Sequence, residues 1–577
     1  MAITPTADKK PWPLFRTLRG AAVGDLGPDL AAGVTLAAIA IPEQMATARL
    51  GGLAPQIGLF AFVAASLGFV AFGANRRMSV GADSTITPIF AGSLAGLAMA
   101  GSPQYGALAA ALALMVGAIL VLAGVFRLGW IADLLSRPVT TGFLAGVSLH
   151  IVISQAPTLL GLPEESGDIY SRLTALADHV GATNVTALSI GLAVFALAVA
   201  AEKLDPRIPG ALIALVGATI ATATLGLAHQ GLAVLGAGAG GLPSPKWPWL
   251  ELETVPPLVG LALIIALVVM VQTAVTTRES SGADREADVD RDYIGVGVGG
   301  LLAGVFGAMP VNASPPRTAA VAAAGGRSGA TGLFAALAVA ALAGSGTGLL
   351  SQTPRAALAG ILLFVALRIF HLGDFALLLR RTPAEFALAA ATTALIVLLP
   401  IETGVAIGMF LSLVHGVYTI TRARLISFER APGTTVWWPV SADQRGELAP
   451  RVMVLGFQAP LSFLNARAFQ HDLVGALDHD QGAARLVVLE ASGVVEIDFT
   501  AAEALIEAIG YAHAHGVDFA VARLESVRAQ AAFKRFGVLD RLGPNHLFRS
   551  VEEAIRALAP AADAQAGPRN AAKLNRD

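Results

Sequence analysis

Long apolar stretches follow one another from about residue 26 to residue 425, and a charged, patterned stretch fills about 450–560. A bilayer-spanning helix needs roughly 20 predominantly apolar residues, so the first part has room for a dozen or more spans. The apolar blocks predict two series. The first runs 31–50, 57–72, 86–99, 107–126, 128–160 (one long helix), 186–200 and 208–235. The second runs 258–277, 293–306, 318–324, 332–349, 356–370, 384–399 and 404–420. A Pro/Gly-rich connection, 236–257, separates them and carries Trp247 and Trp249. The third block of each series is short and has a polar start: SVGADST at 79–85 and NASPPRT at 312–318. Matching interruptions in two halves point to an inverted-repeat transporter with its site between the halves. The competing reading is that two polar starts among so many blocks arise by chance.

The tail alternates strand and helix. Strands are predicted at 452–457, 485–489 and 519–522, and helices at 465–477, 500–513, 530–536 and 551–558. This is a small α/β domain. The expected division is a lead-in at 1–24, a transmembrane domain at 25–425, a linker at 426–449, the α/β domain at 450–559 and a disordered tail at 560–577.

Composition agrees with a membrane protein. Hydrophobic residues make up 55% and charged residues 14% of the chain, whereas globular domains carry about 25% charged residues. The mean hydropathy is +0.67. Lys and Arg fall mostly on one side if the spans alternate, among them Arg76, Arg77, Arg127, Arg380 and Arg381. The other side has few, such as Arg49, Arg172, Lys246 and Arg355. Both ends of the chain are then cytoplasmic, in a multi-pass protein of the cell inner membrane, with Trp247 and Trp249 at the outer interface. The polar start, with Lys9, Lys10, Arg16 and Arg19, lacks the apolar core of a signal peptide. A net charge of -2 without a basic tract gives no support for nucleic-acid binding, and without cysteine there is no thiolate metal site or disulfide. No HExxH, nucleophile–base grouping or Walker A pattern occurs in the apolar part. The expectation is therefore neither an enzyme nor an ATP-driven pump, with no cofactor or metal.

Candidate chemistry gathers at the interrupted blocks. Pro315 and Pro316 precede Arg317 at the start of a predicted half-helix. Proline suits a first helical position, so the amides of Arg317, Thr318 and Ala319 are expected to face the cavity. A helix N-terminus attracts anions, and a charge at bilayer depth costs at least about 2.5–3.5 kcal/mol, so it is usually functional. A snorkelling surface arginine is the plain alternative. Asp83 opens the matching block; it suits a helix cap, and burial disfavours the charged form of a carboxyl group, so it is also a candidate proton carrier. Glu43 and Gln44 follow Pro42, which breaks helix bonding and frees carbonyls; Glu43 is the second candidate for proton coupling. Gln272 and Thr276 share a helix face. They either line the cavity or make a helix–helix hydrogen bond.

These residues also carry a family resemblance. PEQMA at 42–46, DVDRD at 288–292 with Gly295, and PVNASPPRT at 310–318 resemble motifs of the SulP anion permeases. FLNAR at 463–467, VVEID at 494–498 and SVEEA at 550–554 resemble a STAS domain. The resemblance runs from about Asp25 to Leu558. It implies fourteen segments in two inverted repeats of seven, core and gate domains, a homodimer and elevator-type alternating access. It places a small anion (sulfate, bicarbonate or a dicarboxylate) near Glu43, Asp83, Ser84, Thr85, Gln272, Thr276, Ala313, Ser314, Arg317 and Thr318, to which the break at Pro42 adds Gln44 as a cavity-lining candidate. Many proton-coupled members have Glu at the position of Gln272, and a sodium-coupled branch has Asp. Gln cannot titrate, while Asp83 stands where many members are uncharged. The expectation is a proton-coupled transporter with the acid moved to Asp83, sodium being the other possible coupling ion. An uncoupled exchanger or channel of the same fold and a STAS-linked membrane sensor are the alternatives. In the tail, Phe499 replaces the serine that related regulators phosphorylate, leaving Thr500 as the possible regulatory position.

Overall fold

The computed structural model describes residues 14–19, 23–134, 136–163, 169–205, 208–236, 255–280, 288–344, 351–440, 446–480 and 482–559. Lys9, Lys10, Lys246, Trp247, Trp249, most of the connection and the tail beyond 559 lie outside them. The chain forms two compact units that meet between Leu413 and Val414.

In the first unit the helices of the first series are α1 (Leu26–Leu50), α2 (Pro55–Phe72), α3 (Thr87–Ala95), α4 (Pro103–Val125), α5 (Arg137–Leu160), α6 (Ile169–His179), α7 (Val185–Leu204) and α8 (Gly210–Thr224). Those of the second are α9 (Val255–Ser280), α10 (Val289–Val305), α11 (Pro315–Ala323), α12 (Ala330–Gly344), α13 (Arg355–Ile369), α14 (Leu372–Arg381), α15 (Pro383–Leu398) and α16 (Ile401–Thr421), which runs on past Leu413 into the second unit. Among the described residues, eight helices are long and apolar enough to cross a membrane. The two series follow the same order, long spans interrupted at the third place by a half-helix. At about 1.5 Å per residue, α3 and α11 reach only part of the way across a core about 30 Å thick.

Two departures from the sequence pattern have clear causes. Residues 128–160 do not form one helix. A 3-10 turn, Gly129–Leu134, precedes α5, and Pro138 fixes the first turn of that helix. The helices α6 and α14 lie outside both predicted series. Their apolar and polar residues alternate around the helix, so neither forms an unbroken apolar block.

The spans pack as two bundles. The core comprises α1, α2, α4, α9, α10 and α12 and holds α3 and α11; the gate comprises α5, α7, α8, α13 and α15. Small residues let core backbones approach closely. A Cβ on Gly68 would meet the Gly299 nitrogen at 2.5 Å, and one on Gly117 the Gly297 oxygen at 2.7 Å. The N-terminal turn fastens to the same bundle: the Thr17 hydroxyl donates to Val70 O at 2.7 Å, and Thr17 O accepts from Gly329 N at 3.0 Å.

Between the half-helices a two-stranded antiparallel pair joins β1 (Val80–Gly81) to β2 (Asn312–Ala313). In the second unit the strands are β3 (Leu425–Arg430), β4 (Trp437–Pro439), β5 (Val452–Phe457), β6 (Leu486–Glu490), β7 (Asp518–Ala522) and β8 (Leu547–Phe548). They form one sheet in the order β4-β3-β5-β6-β7-β8, parallel from β5 to β8. Helices α17 (Ala466–His479), α18 (Phe499–Ala514), α19 (Val527–Arg535), α20 (Val538–Leu542) and α21 (Val551–Leu558) complete it. Residues 426–449, expected as a linker, instead supply most of β3 and all of β4. These strands lie at one edge and are only partly buried, so they lack the continuous apolar run that marks β6.

Candidate anion site

The site is built around two extended arms that lead into α3 and α11. Beyond the β1–β2 pair, Ser314 N donates to Ser79 O at 2.9 Å, and Ser79 N donates to the Thr318 hydroxyl at 3.1 Å. Gln44, just past Pro42 in α1, grips the first arm like a third strand. Its Nε2 donates to Ala82 O and its Oε1 accepts from Ala82 N, both at 2.8 Å. Thr318 also back-bonds to Ser314 O at 2.7 Å. Arms, Gln44 and Thr318 together form one hydrogen-bonded cradle.

Arg317 is fully buried across this cradle. Its Nε donates to the Ser79 hydroxyl at 3.2 Å, and its Nη1 donates to Glu43 Oε1 at 2.8 Å and to Ala82 O at 3.5 Å. Among the described residues its Nη2 has no hydrogen-bond partner. The expected amide donors of α11 are taken. Arg317 N points to the capping Ser314 hydroxyl at 3.5 Å, and Thr318 N donates to Ser314 O at 3.0 Å. Open amides lie instead before α3, where Ser84 N and Ile86 N have no hydrogen-bond partner among the described residues. These two amides flank the Thr85 N that Asp83 holds, and open amides at a helix start suit an anion.

Asp83 caps this turn. Its Oδ1 accepts from Thr85 N at 2.9 Å and from the Thr85 hydroxyl, while its carbonyl accepts from the Thr87 hydroxyl at 2.7 Å. Asp83 is buried, and among the described residues it has no ion-pair partner. Gln272 of α9 faces the turn, its Oε1 accepting from the Thr85 hydroxyl at 3.1 Å and from Asn312 Nδ2. Beside Gln272 is a gap of about 20 Å³, bounded by Val139, Phe143, Val271, Thr392 and Met409. That is room for about one water molecule, so core and gate are closed against each other here.

The fold thus brings Glu43, Gln44, Asp83, Ser84, Thr85, Gln272, Ala313, Ser314, Arg317 and Thr318 together. Thr276 lies one turn along α9 from Gln272, and its hydroxyl donates to Gln272 O at 2.7 Å, within its own helix. Thr500 lies in the second unit, exposed on the first turn of α18 behind the Asp498 cap. In the sequence Asn312 and Ser79 stand out only as members of the polar starts. Two buried carboxylates had no assigned role. Asp29 accepts from Arg327 N at 2.7 Å, Ser328 N at 3.1 Å and the Thr331 hydroxyl at 3.0 Å, so it pins the segment leaving α11. Asp292 accepts from Ala74 N at 2.8 Å, Asn75 N at 2.9 Å and the Thr277 hydroxyl at 2.9 Å, so it pins the segment leading to β1. An acid at the edge of the first apolar block was the available signal for Asp29, and the DVDRD run for Asp292.

Comparison with known proteins places these features. The Sulfate permease family profile matches residues 26–392 and the STAS domain profile residues 446–554. A probable sulfate transporter of Mycobacterium tuberculosis is 32% identical over 92% of this chain and 94% of its own length. Mouse solute carrier family 26 member 10 is 26% identical over 91% of this chain and 82% of its own. Among solved structures, inward-facing murine solute carrier 26 family member A9 superposes with a TM-score of 0.83 at 20% identity, over 93% of this chain and 92% of that one. The transmembrane domain of a cyanobacterial bicarbonate transporter, BicA, gives 0.59 at 22% identity, over 68% and 98%. The structural likenesses speak to the fold.

Proposed function

The chain belongs to the sulfate permease family, and we propose that it is a secondary transporter of a small anion held in the cradle. The observation that carries this reading is Arg317, a fully buried guanidinium whose Nη2 is unpartnered among the described residues and whose Nη1 reaches Ala82 O, in the arm that carries the open amides of Ser84 and Ile86. The open amides seat the anion, and Arg317 supplies positive potential behind it. Glu43 neutralises Arg317 in the resting site. Relatives named as probable sulfate transporters make sulfate the first cargo to test, with bicarbonate and dicarboxylates next. Equilibrium sulfate binding to the purified protein tests the site: Arg317→Ala abolishes saturable binding, and unchanged affinity would move the site elsewhere.

Transport is alternating access of the elevator kind, the core carrying the cradle past the gate. The protein works as a homodimer in the inner membrane with both termini cytoplasmic. Asp83 carries a coupling proton. The Thr85 hydroxyl has one proton for two acceptors, Asp83 Oδ1 and Gln272 Oε1. When Asp83 is protonated the chain closes, with Asp83 donating to Thr85 and Thr85 to Gln272. Protonation also removes the repulsion between Asp83 and an arriving anion. In proteoliposomes with an imposed proton gradient, Asp83→Asn is expected to exchange sulfate without concentrating it; concentrative uptake by that variant would sink the coupling role. Uncoupled exchange is the second reading, favoured by Gln272, which cannot titrate. It predicts flux indifferent to the proton gradient.

A further inference from the structure

The turn that precedes α1, residues 14–19, packs with its polarity reversed. Thr17 is fully buried, whereas Leu14 and Phe15 are about half exposed. Hydrogen bonds rather than apolar burial therefore fix this turn, since a buried hydroxyl is costly unless it is bonded. Those bonds reach several segments. Phe15 N donates to Ala71 O at 2.7 Å, beside the Thr17 bond to Val70 O, so the turn grips the end of α2. Arg19 O accepts from Arg76 Nη2, in the segment between α2 and β1. Thr17 O accepts from Gly329 N, in the segment between α11 and α12. Arg16 also pairs with Asp288, which caps α10, but this pair is exposed and adds little. The two connecting segments are tied to each other as well, because Arg77 Nε donates to Gly326 O at 3.1 Å. The turn thus closes a ring of bonds through both.

These segments are the roots of the cradle. One runs from α2 through Arg76 and Arg77 to Ser79, whose hydroxyl accepts from Arg317 Nε. The other leaves α11, which carries Arg317 in its first turn. The roots enclose a gap of only about 10 Å³, walled by Val70, Met78, Val321 and Gly329 among others. A gap of that size is at the limit for a single water, so the roots are packed against each other. Met78 precedes Ser79, and Val321 lies one turn beyond Arg317 on the same helix face. The packing therefore reaches the two residues that bond across the cradle. A Cβ on Gly329 would meet Thr17 Oγ1 at 2.4 Å and Thr17 Cβ at 2.6 Å. Gly329 leaves the space that Thr17 fills.

We propose that Thr17 is a positioning residue of the anion site. Through this ring it holds the two roots at a fixed spacing, which keeps the Ser79 hydroxyl on the guanidinium of Arg317. Thr17 touches no anion itself. The consequence for anion affinity rests on the reading proposed above; the bracing does not.

Two measurements separate these statements. Amide hydrogen exchange, read by mass spectrometry on the purified full-length protein without any anion, tests the brace. Thr17→Val keeps the branched shape and loses the hydroxyl. It is expected to speed exchange severalfold in peptides covering both 73–79 and 324–329, with Thr17→Ser close to wild type. No change, or a change confined to 14–19 and the end of α2, overturns the brace. Equilibrium sulfate binding tests the consequence. Thr17→Val is expected to weaken it about fivefold, the worth of one net hydrogen bond, and Thr17→Ser to restore it. Gly329→Ala, which collides with Thr17, is expected to weaken binding alone and to have a smaller further effect beside Thr17→Gly. A lower thermal midpoint with an unchanged dissociation constant would make Thr17 a structural residue only and overturn the positioning role. If the wild-type protein binds no sulfate, the anion reading fails and the exchange result still decides the brace.

Discussion

At the scale of single residues, the decisive pairing is Arg317 with Glu43. If the proposed site holds an anion, Glu43 competes with it for the guanidinium, since both are drawn to the same charge. Two unit charges 4 Å apart exchange about 4 kcal/mol at an effective dielectric near 20. Glu43→Gln is therefore expected to tighten equilibrium sulfate binding by roughly tenfold, a fraction of that figure. Looser binding in that variant would mean that Glu43 holds Arg317 in place more than it opposes the anion. Gln272→Glu keeps an acceptor for Thr85 and Asn312 and adds a carboxyl group close to Asp83. Its uptake is expected to shift toward acid pH, measurable as a displaced pH profile of sulfate transport. Most of the residues at this site were legible in the sequence because each is a polar interruption in an apolar block. Their partners were not. That Arg317 folds back on Glu43, and that its Nε reaches the Ser79 hydroxyl, follow from chain segments more than 200 residues apart in sequence, which no local pattern records.

At the scale of elements, helix-against-helix contact without side chains holds the core together. A methyl on Gly68 collides with the backbone of α10, and overpacking of this kind costs typically 1–3 kcal/mol. Gly68→Ala is expected to lower the thermal midpoint of the detergent-solubilised protein, whereas Gly217→Ala, with nothing within 4 Å, leaves it unchanged. Asp292→Ala removes the acceptor for two backbone amides at once, each worth roughly 1–3 kcal/mol if left buried and unpaired. Sulfate binding is expected to weaken along with stability, because the pinned segment runs directly into β1. The spans were readable as blocks because the bilayer demands long apolar runs. The helices α6 and α14 were not, since an amphipathic helix answers to an interface and spreads its apolar residues around the turn. The strands β3 and β4 were hidden for a similar reason: strands at the edge of a sheet need only one apolar face.

At the scale of the whole molecule, the two repeats are complementary halves of one site, and neither holds the cradle alone. The first contributes Gln44, Asp83 and the open amides; the second contributes Arg317, Gln272 and Asn312. The sequence announced this pairing through its two matched interruptions, but not the register Val80↔Ala313 and Gly81↔Asn312 that fastens them. That register has a consequence for biogenesis. The partner of Val80 is made only after the ribosome has added the residues up to Ala313. At about 5–20 residues per second, that delay is on the order of tens of seconds. During it, the backbone groups of Ser79, Val80 and Gly81 lack the partners that the second half supplies, and each such group in hydrocarbon costs several kcal/mol. The nascent first half therefore needs shelter, from the insertion machinery or from a water-filled pocket, until the second half arrives to close the pair.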